Sequence, residues 1–163
     1  MASEKTITLD INGRDIETTV PAHRTLLAAL RGLGFVDVKS GCEKGDCGAC
    51  AVLIDGEAYD SCLTLAWTAE GKAITTVSGL GGGAGDPHPL QRAFADTGAV
   101  QCGYCTPGLI IAAQSILAET PDPSDDQIRY GLSGNLCRCT GYTKVFDAVR
   151  IAAAAMRDEG EQP

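Results

Sequence analysis

The residues of this chain best equipped for chemistry are its eight cysteines, which fall into two sets of four. Cys42, Cys47, Cys50 and Cys62 are spaced C-x4-C-x2-C, with eleven residues before the fourth. Cys102, Cys105, Cys137 and Cys139 make C-x2-C, a gap of thirty-one residues, and C-x-C. A thiolate is a soft anionic ligand that suits zinc and iron–sulfur clusters. Disulfides are the other use of so many cysteines, but they persist in oxidising compartments. No basic segment followed by an apolar run opens this chain to send it there. Tight cysteine clusters in a reducing compartment point to metal instead.

The first spacing is that of plant-type [2Fe–2S] ferredoxins. Each iron needs two thiolates beside two bridging sulfides, and a loop around the cluster must turn backbone N–H groups inward. Gly41, Gly45 and Gly48 supply the backbone freedom for that, and Cys62 follows from an adjoining strand. In the second set each pair precedes a predicted helix start, at Thr106-Pro107 and near Thr143. Helix N-termini offer free N–H groups and partial positive charge, which favour thiolates and an anionic cluster. Four cysteines hold structural zinc equally well, so by spacing alone this second site stays open between iron and zinc.

The remaining residues offer no catalytic constellation. His23 and His88 lie away from the cysteines and receive no ligand role. Asp125-Asp126 reads as first-turn helix charge. Trp67, three phenylalanines and four tyrosines are too few and too scattered for a base-stacking platform. Tyr104, inside the second motif, is expected to pack over its cluster. A net charge of −8 argues against nucleic acid, which needs clustered Lys and Arg, and suits docking to basic protein patches. No apolar stretch reaches the roughly 18 residues of a membrane span, so a soluble cytoplasmic protein is expected. Two clusters without a catalytic group describe a conductor of electrons whose chemistry happens elsewhere.

These sites need elements to hold them. Ile7, Leu9 and Ile11 alternate up to Asn12-Gly13, and Ile16, Thr18 and Val20 alternate after it, which predicts a hairpin. Thr25 caps a short helix with Leu26, Leu27 and Leu30, stopped by Gly32 and Gly34. A second hairpin from Ala51 to Cys62 turns at Asp55-Gly56, and a strand at Ala73–Val77 completes an α+β sheet domain. Gly79–Gly85 lacks the following strand and acidic partner of a dinucleotide site and reads as a linker. The domains expected are therefore 1–79, a linker at 80–85, and 86–163. Beyond the linker the period turns helical. Helices are predicted at Pro89–Ala95, from Thr106 (N-cap) and Pro107 (N1) to before Pro121, after the capping box Ser124/Gln127, and along the stripe Val145, Val149, Ala152, Met156. Leu109–Ala113 is apolar nearly all round and should sit centrally or against a partner. The second half is a predicted four-helix bundle.

Three stretches resemble a known family: GCEKGDCGAC (Gly41 to Cys50), QCGYCTPG (Gln101 to Gly108) and GNLCRCTGY (Gly134 to Tyr142). They are similar to the motifs of the small iron–sulfur subunit of molybdenum hydroxylases, a family that includes xanthine, carbon monoxide, aldehyde and N-heteroaromatic dehydrogenases. The resemblance runs from the first hairpin to the last helix and covers all eight cysteines. It implies an N-terminal β-grasp, ferredoxin-like [2Fe–2S] domain followed by an all-α four-helix-bundle [2Fe–2S] domain. It further implies a large subunit carrying a molybdenum-pterin cofactor and a medium subunit carrying FAD, assembled as a dimer of heterotrimers. The cluster on Cys102, Cys105, Cys137 and Cys139 would lie nearest molybdenum, and that on Cys42, Cys47, Cys50 and Cys62 nearer FAD. Gln101 and Cys139 match positions that touch the pterin, where a buried amide suits its donor–acceptor edge. In single-chain relatives the sequence continues into further domains. Here it ends at Pro163 after a charged tail, so the partners are expected as separate polypeptides.

Two other readings fit the same residues: a free-standing two-cluster electron carrier, and a zinc-bound scaffold without redox function. A free carrier should not expose a face like Leu109–Ala113. A zinc protein would be colourless, and zinc cannot change oxidation state.

Overall fold

The N-terminal alternation becomes a hairpin in the computed structural model, which describes residues 3–81 and 85–160. Strands β1 (Glu4–Ile11) and β2 (Arg14–Pro21) pair antiparallel from Glu4↔Pro21 to Ile11↔Arg14. Asn12 and Gly13 both take positive φ, 55° and 73°, the twist-matched turn for which Asn-Gly is suited. Ile7, Leu9 and Ile11 are buried while Thr6 and Thr8 stay exposed, so one face of the strand carries the core. Helix α1 (Leu26–Gly32) starts where the Thr25 hydroxyl accepts the Ala28 N–H at 3.2 Å. It buries Leu26, Leu27 and Leu30 against that face, each worth about 1.5–3 kcal/mol of burial.

β3 (Ala51–Ile54) and β4 (Glu57–Asp60) form the second hairpin, turning at Asp55-Gly56. β5 (Ala73–Thr75) lies between the hairpins, parallel to β1 and antiparallel to β3, which gives the order β2-β1-β5-β3-β4. This is the expected β-grasp sheet. β3 is buried on both faces: Val52 and Ile54 join the core under α1, while Ala51 and Leu53 face the other way onto Ile111.

The second half has four helices among the described residues: α2 (Pro89–Asp96), α3 (Thr106–Glu119), α4 (Asp125–Gly131) and α5 (Thr143–Gly160). Phe94, Leu90, Leu109, Ile128, Val145 and Val149 form its core. The Ser124/Gln127 capping box is present, with amide-to-side-chain distances of 2.8 and 3.3 Å. A second box, beyond those the sequence suggests, opens α2: His88 Nδ1 accepts the Leu90 N–H at 3.2 Å, and Gln91 Oε1 accepts the His88 N–H at 2.9 Å. The α5 stripe faces the core, with Val145, Val149 and Ala152 fully buried and Met156 partly.

Helix α3 corrects one expectation. Cys105 already has helical backbone (φ −80°, ψ −16°) and its carbonyl accepts from Leu109 at 3.0 Å. Cys105 is therefore the N-cap, Thr106 is N1, and the helix begins on the cysteine itself. Leu109 to Ala113 are all buried, because α3 lies between the sheet and the other helices. The face that argued against a free carrier is covered by this chain's own β3, so it does not separate the readings. Residues 82–84 of the glycine-rich segment lie outside the described residues, while Val77 and Leu80 before it pack at the junction of sheet and α3. Among the described residues no helix is long and apolar enough to cross a membrane.

Candidate metal centres

Cys42, Cys47 and Cys50 stand on the loop between α1 and β3, and Cys62 comes two residues past β4. The loop aims amides at its own sulfurs. Cys42 Sγ accepts from Lys44 at 3.4 Å and Asp46 at 3.3 Å, and Cys47 Sγ accepts from the Cys42 N–H at 3.4 Å. The Lys44 amide first, then that of Asp46, brings the Cys42 thiol down to about 7. Cys50 lies at the opposite extreme. Burial pushes its thiol up to about 12, and its Sγ reaches Asp60 Oδ1 at 3.6 Å. The buried Ser61 hydroxyl donates to the Cys50 carbonyl at 2.7 Å and fixes the start of β3.

The second set is gathered from two places. Burial, and then Cys137, pushes the Cys105 thiol up to about 12. Burial acts upward on Cys137, but the Thr140 hydroxyl (3.2 Å) and amide (3.4 Å), together with the Cys139 amide and the Cys105 thiol, outweigh it and leave the thiol at about 7. Cys139 is raised by its hydrogen bond with Cys102 and by that group's charge. Cys102, Cys139 and the adjacent Gln101 are exposed, so one edge of this centre faces outward.

One expectation changes here. α5 starts four residues after Cys139, so the donors to Cys137 come from the turn at Thr140 and not from a helix end. The Tyr104 hydroxyl donates to the Ser40 carbonyl, in the other half of the molecule, a contact the sequence does not suggest.

The residues that sequence reasoning missed are those that join the centres. Asn135 is buried, and its Nδ2 donates to the Gly48 carbonyl at 3.2 Å. Leu136 N–H donates to the Cys47 carbonyl at 3.0 Å, linking a neighbour of Cys137 to a cysteine of the first set. Gly48 has φ of 66°, and a Cβ there would meet Asn135 Nδ2 at 2.3 Å. A Cβ on Gly108 would sit 2.1 Å from the Gly48 carbonyl oxygen, so α3 packs backbone to backbone on the loop. Tyr142, at φ 67°, accepts the Cys137 N–H at 2.6 Å and donates to the Asn135 carbonyl at 3.1 Å. Its ring stacks on Phe146, which lies under Arg129. The only signal for these roles was position: each polar residue is within three of a cysteine.

These residues fit two-iron clusters. The thiols of each set interact with one another: Cys42 with Cys47 and Cys50 with Cys62 in the first, and Cys105 and Cys139 each with both Cys102 and Cys137 in the second. Two thiolates per iron is the arrangement a [2Fe–2S] cluster requires, whereas one zinc ion draws four sulfurs to a single point. The Thr106 hydroxyl, next to Cys105, is buried without a hydrogen-bond partner from the protein.

Comparison with known proteins agrees with this geometry. A family described as "2Fe-2S iron-sulfur cluster binding domain" matches residues 9–76, and one described as "[2Fe-2S] binding domain" matches 76–150. The chain is 45% identical to the nicotinate dehydrogenase small FeS subunit of Eubacterium barkeri, covering 90% of this chain and 94% of that one. It is 47% identical to the xanthine dehydrogenase iron-sulfur-binding subunit of Escherichia coli O157:H7, covering 91% and 96%. Among solved structures, quinoline 2-oxidoreductase from Pseudomonas putida 86 superposes with a TM-score of 0.91 at 46% identity, covering 98% of this chain and 99% of the matched chain.

Proposed function

The chain belongs to the small iron–sulfur subunits of the molybdenum hydroxylases, and from that premise we propose that it relays electrons from a molybdenum-pterin site to FAD. The observation that carries this reading is the contact between the two cysteine loops. The Cys47 carbonyl and Leu136 N–H, 3.0 Å apart, set the centres side by side within one folded unit. Each bound cluster supplies a site that takes up and gives back one electron. The chain's own residues hold it: Cys42, Cys47, Cys50 and Cys62 for the first cluster, Cys102, Cys105, Cys137 and Cys139 for the second. Amides from the first loop and the Thr140 hydroxyl stabilise the charged sulfurs. Burial of Cys50 and Cys62 keeps water from the inner side of the first centre.

The exposed edge at Cys102 and Cys139 suits a large molybdenum-binding subunit, with Gln101 and Cys139 against the pterin. The first cluster then serves FAD on a medium subunit. A dimer of such heterotrimers in the cytoplasm is the assembly proposed, with the two domains at 1–79 and 86–163 joined by the linker 80–85. Relatives named for nicotinate and for xanthine match this chain about equally, at 45% and 47%, which supports placing substrate choice on the large subunit.

The test is to tag the chain in its native host, purify it gently, and assay co-purifying chains and metal. A molybdenum-bearing larger chain, a FAD-bearing chain and about four irons per copy are expected. A lone chain with the same iron, under conditions that preserve complexes, would favour a free-standing carrier. Zinc without labile sulfide would remove the clusters altogether.

A further inference from the structure

The two centres differ in what donates to their sulfurs. In the first, backbone amides reach Cys42 and Cys47. In the second, a side chain takes part: Thr140 Oγ1 lies 3.2 Å from Cys137 Sγ. The same oxygen accepts the Tyr142 N–H at 3.3 Å, which occupies a lone pair and leaves the hydroxyl proton directed at the sulfur. Tyr142 is itself held, by the Cys137 amide, the Asn135 carbonyl and the Phe146 ring. Among the described residues no other hydroxyl donates to a cysteine sulfur.

We propose that Thr140 sets the reduction potential of the second cluster through this hydroxyl. A hydrogen bond to sulfur strengthens as the sulfur gains negative charge. Addition of one electron breaks no bond and increases that charge, so the hydroxyl favours the reduced state and raises the potential. A backbone amide cannot be exchanged by substitution, whereas a threonine hydroxyl can. The second centre is thus the one whose potential a single residue adjusts. This inference rests on the assignment of Cys102, Cys105, Cys137 and Cys139 to one cluster.

The experiment is a redox titration, followed by electron paramagnetic resonance, of the full chain carrying its clusters. Wild-type protein with four irons and two titrating components establishes the assignment independently of Thr140. T140V keeps the side-chain shape and removes the donor. It should disfavour reduction of one component about tenfold, a fall of about 59 mV for one electron, and leave the other unmoved. T140S keeps the hydroxyl and should titrate as wild type. An unmoved potential in iron-replete T140V, equal movement of both components, or T140S behaving like T140V would each overturn the proposal. If T140V loses iron, T140A is titrated in its place with the same expectation. Loss of iron from both, with T140S intact, would show a role in holding the cluster and also overturn it.

Discussion

Three of the first centre's cysteines lie within a nine-residue loop whose own amides turn onto Cys42 and Cys47. The second centre draws on Cys102 and Cys105 at the head of α3 and on Cys137 and Cys139 beyond α4, and these pairs meet only when the helices pack. The donors differ as well, backbone amides alone in the first and the Thr140 hydroxyl beside the Thr140 amide in the second. A loop closed over a few residues forms its site at small entropic expense. A site spanning the bundle ties distant segments together, so its cluster contributes to the fold as much as the fold contributes to the cluster.

The sharpest break of this comparison is a pair of substitutions. C137S should lose the second cluster and loosen the helices, with a melting temperature lower by on the order of 10 °C in circular dichroism. C47S should lose one cluster signal while the helical transition moves much less. Equal helical losses in both would end the distinction between the centres. Next in size is the seam between them. G108A forces a Cβ to within 2.1 Å of the Gly48 carbonyl and should cost about 1–3 kcal/mol in denaturant unfolding. G134A, where a Cβ meets nothing within 4 Å, should stay within about 0.5 kcal/mol of wild type.

The smallest effect concerns an exposed tie between the helices behind the second centre. Arg150 donates to Asp125 at 2.7 Å and holds its carboxyl below the ordinary range. A carboxyl with a lowered pKa in the folded state stabilises above its unfolded value of about 3.9, and that gain is lost as pH falls through the lowered value. Wild type should therefore melt slightly above D125N at pH 7. The gap should narrow at high salt and close in acid. A gap that persisted in acid would rule out the ion pair as its source.

Much of this was legible because it is local. Asn12-Gly13 and Asp55-Gly56 name their turns, Thr25 and Ser124 name their caps, and the spacing of Cys42, Cys47 and Cys50 names the loop. What escaped depends on distance in sequence. Asn135 reaches Gly48, Leu136 reaches Cys47 and Tyr104 reaches Ser40, and no periodicity in either segment announces the other. The start of α3 lies one residue earlier than the sequence suggests, because Thr-Pro resembles a cap. The Cys105 backbone turns helical earlier, which places the cysteine at the helix end. His88 reads in the sequence as a lone histidine, and its use of Nδ1 as a cap acceptor depends on Gln91 answering it.

The parallel pairing of β1 with β5 imposes an order of events on a chain emerging from the ribosome. Residues 10 and 11 cannot find their partners at 73 and 74 until about sixty further residues have been made. The cysteine loop, lying between them, is therefore synthesised and exposed before the sheet that will enclose it can close. The helical half waits longer still, because α2 packs on α5, which follows every other described element. Thiols presented in an open chain are also open to oxidation. Both centres are thus completed late, the second after the first, at a stage when iron and sulfide must already be at hand.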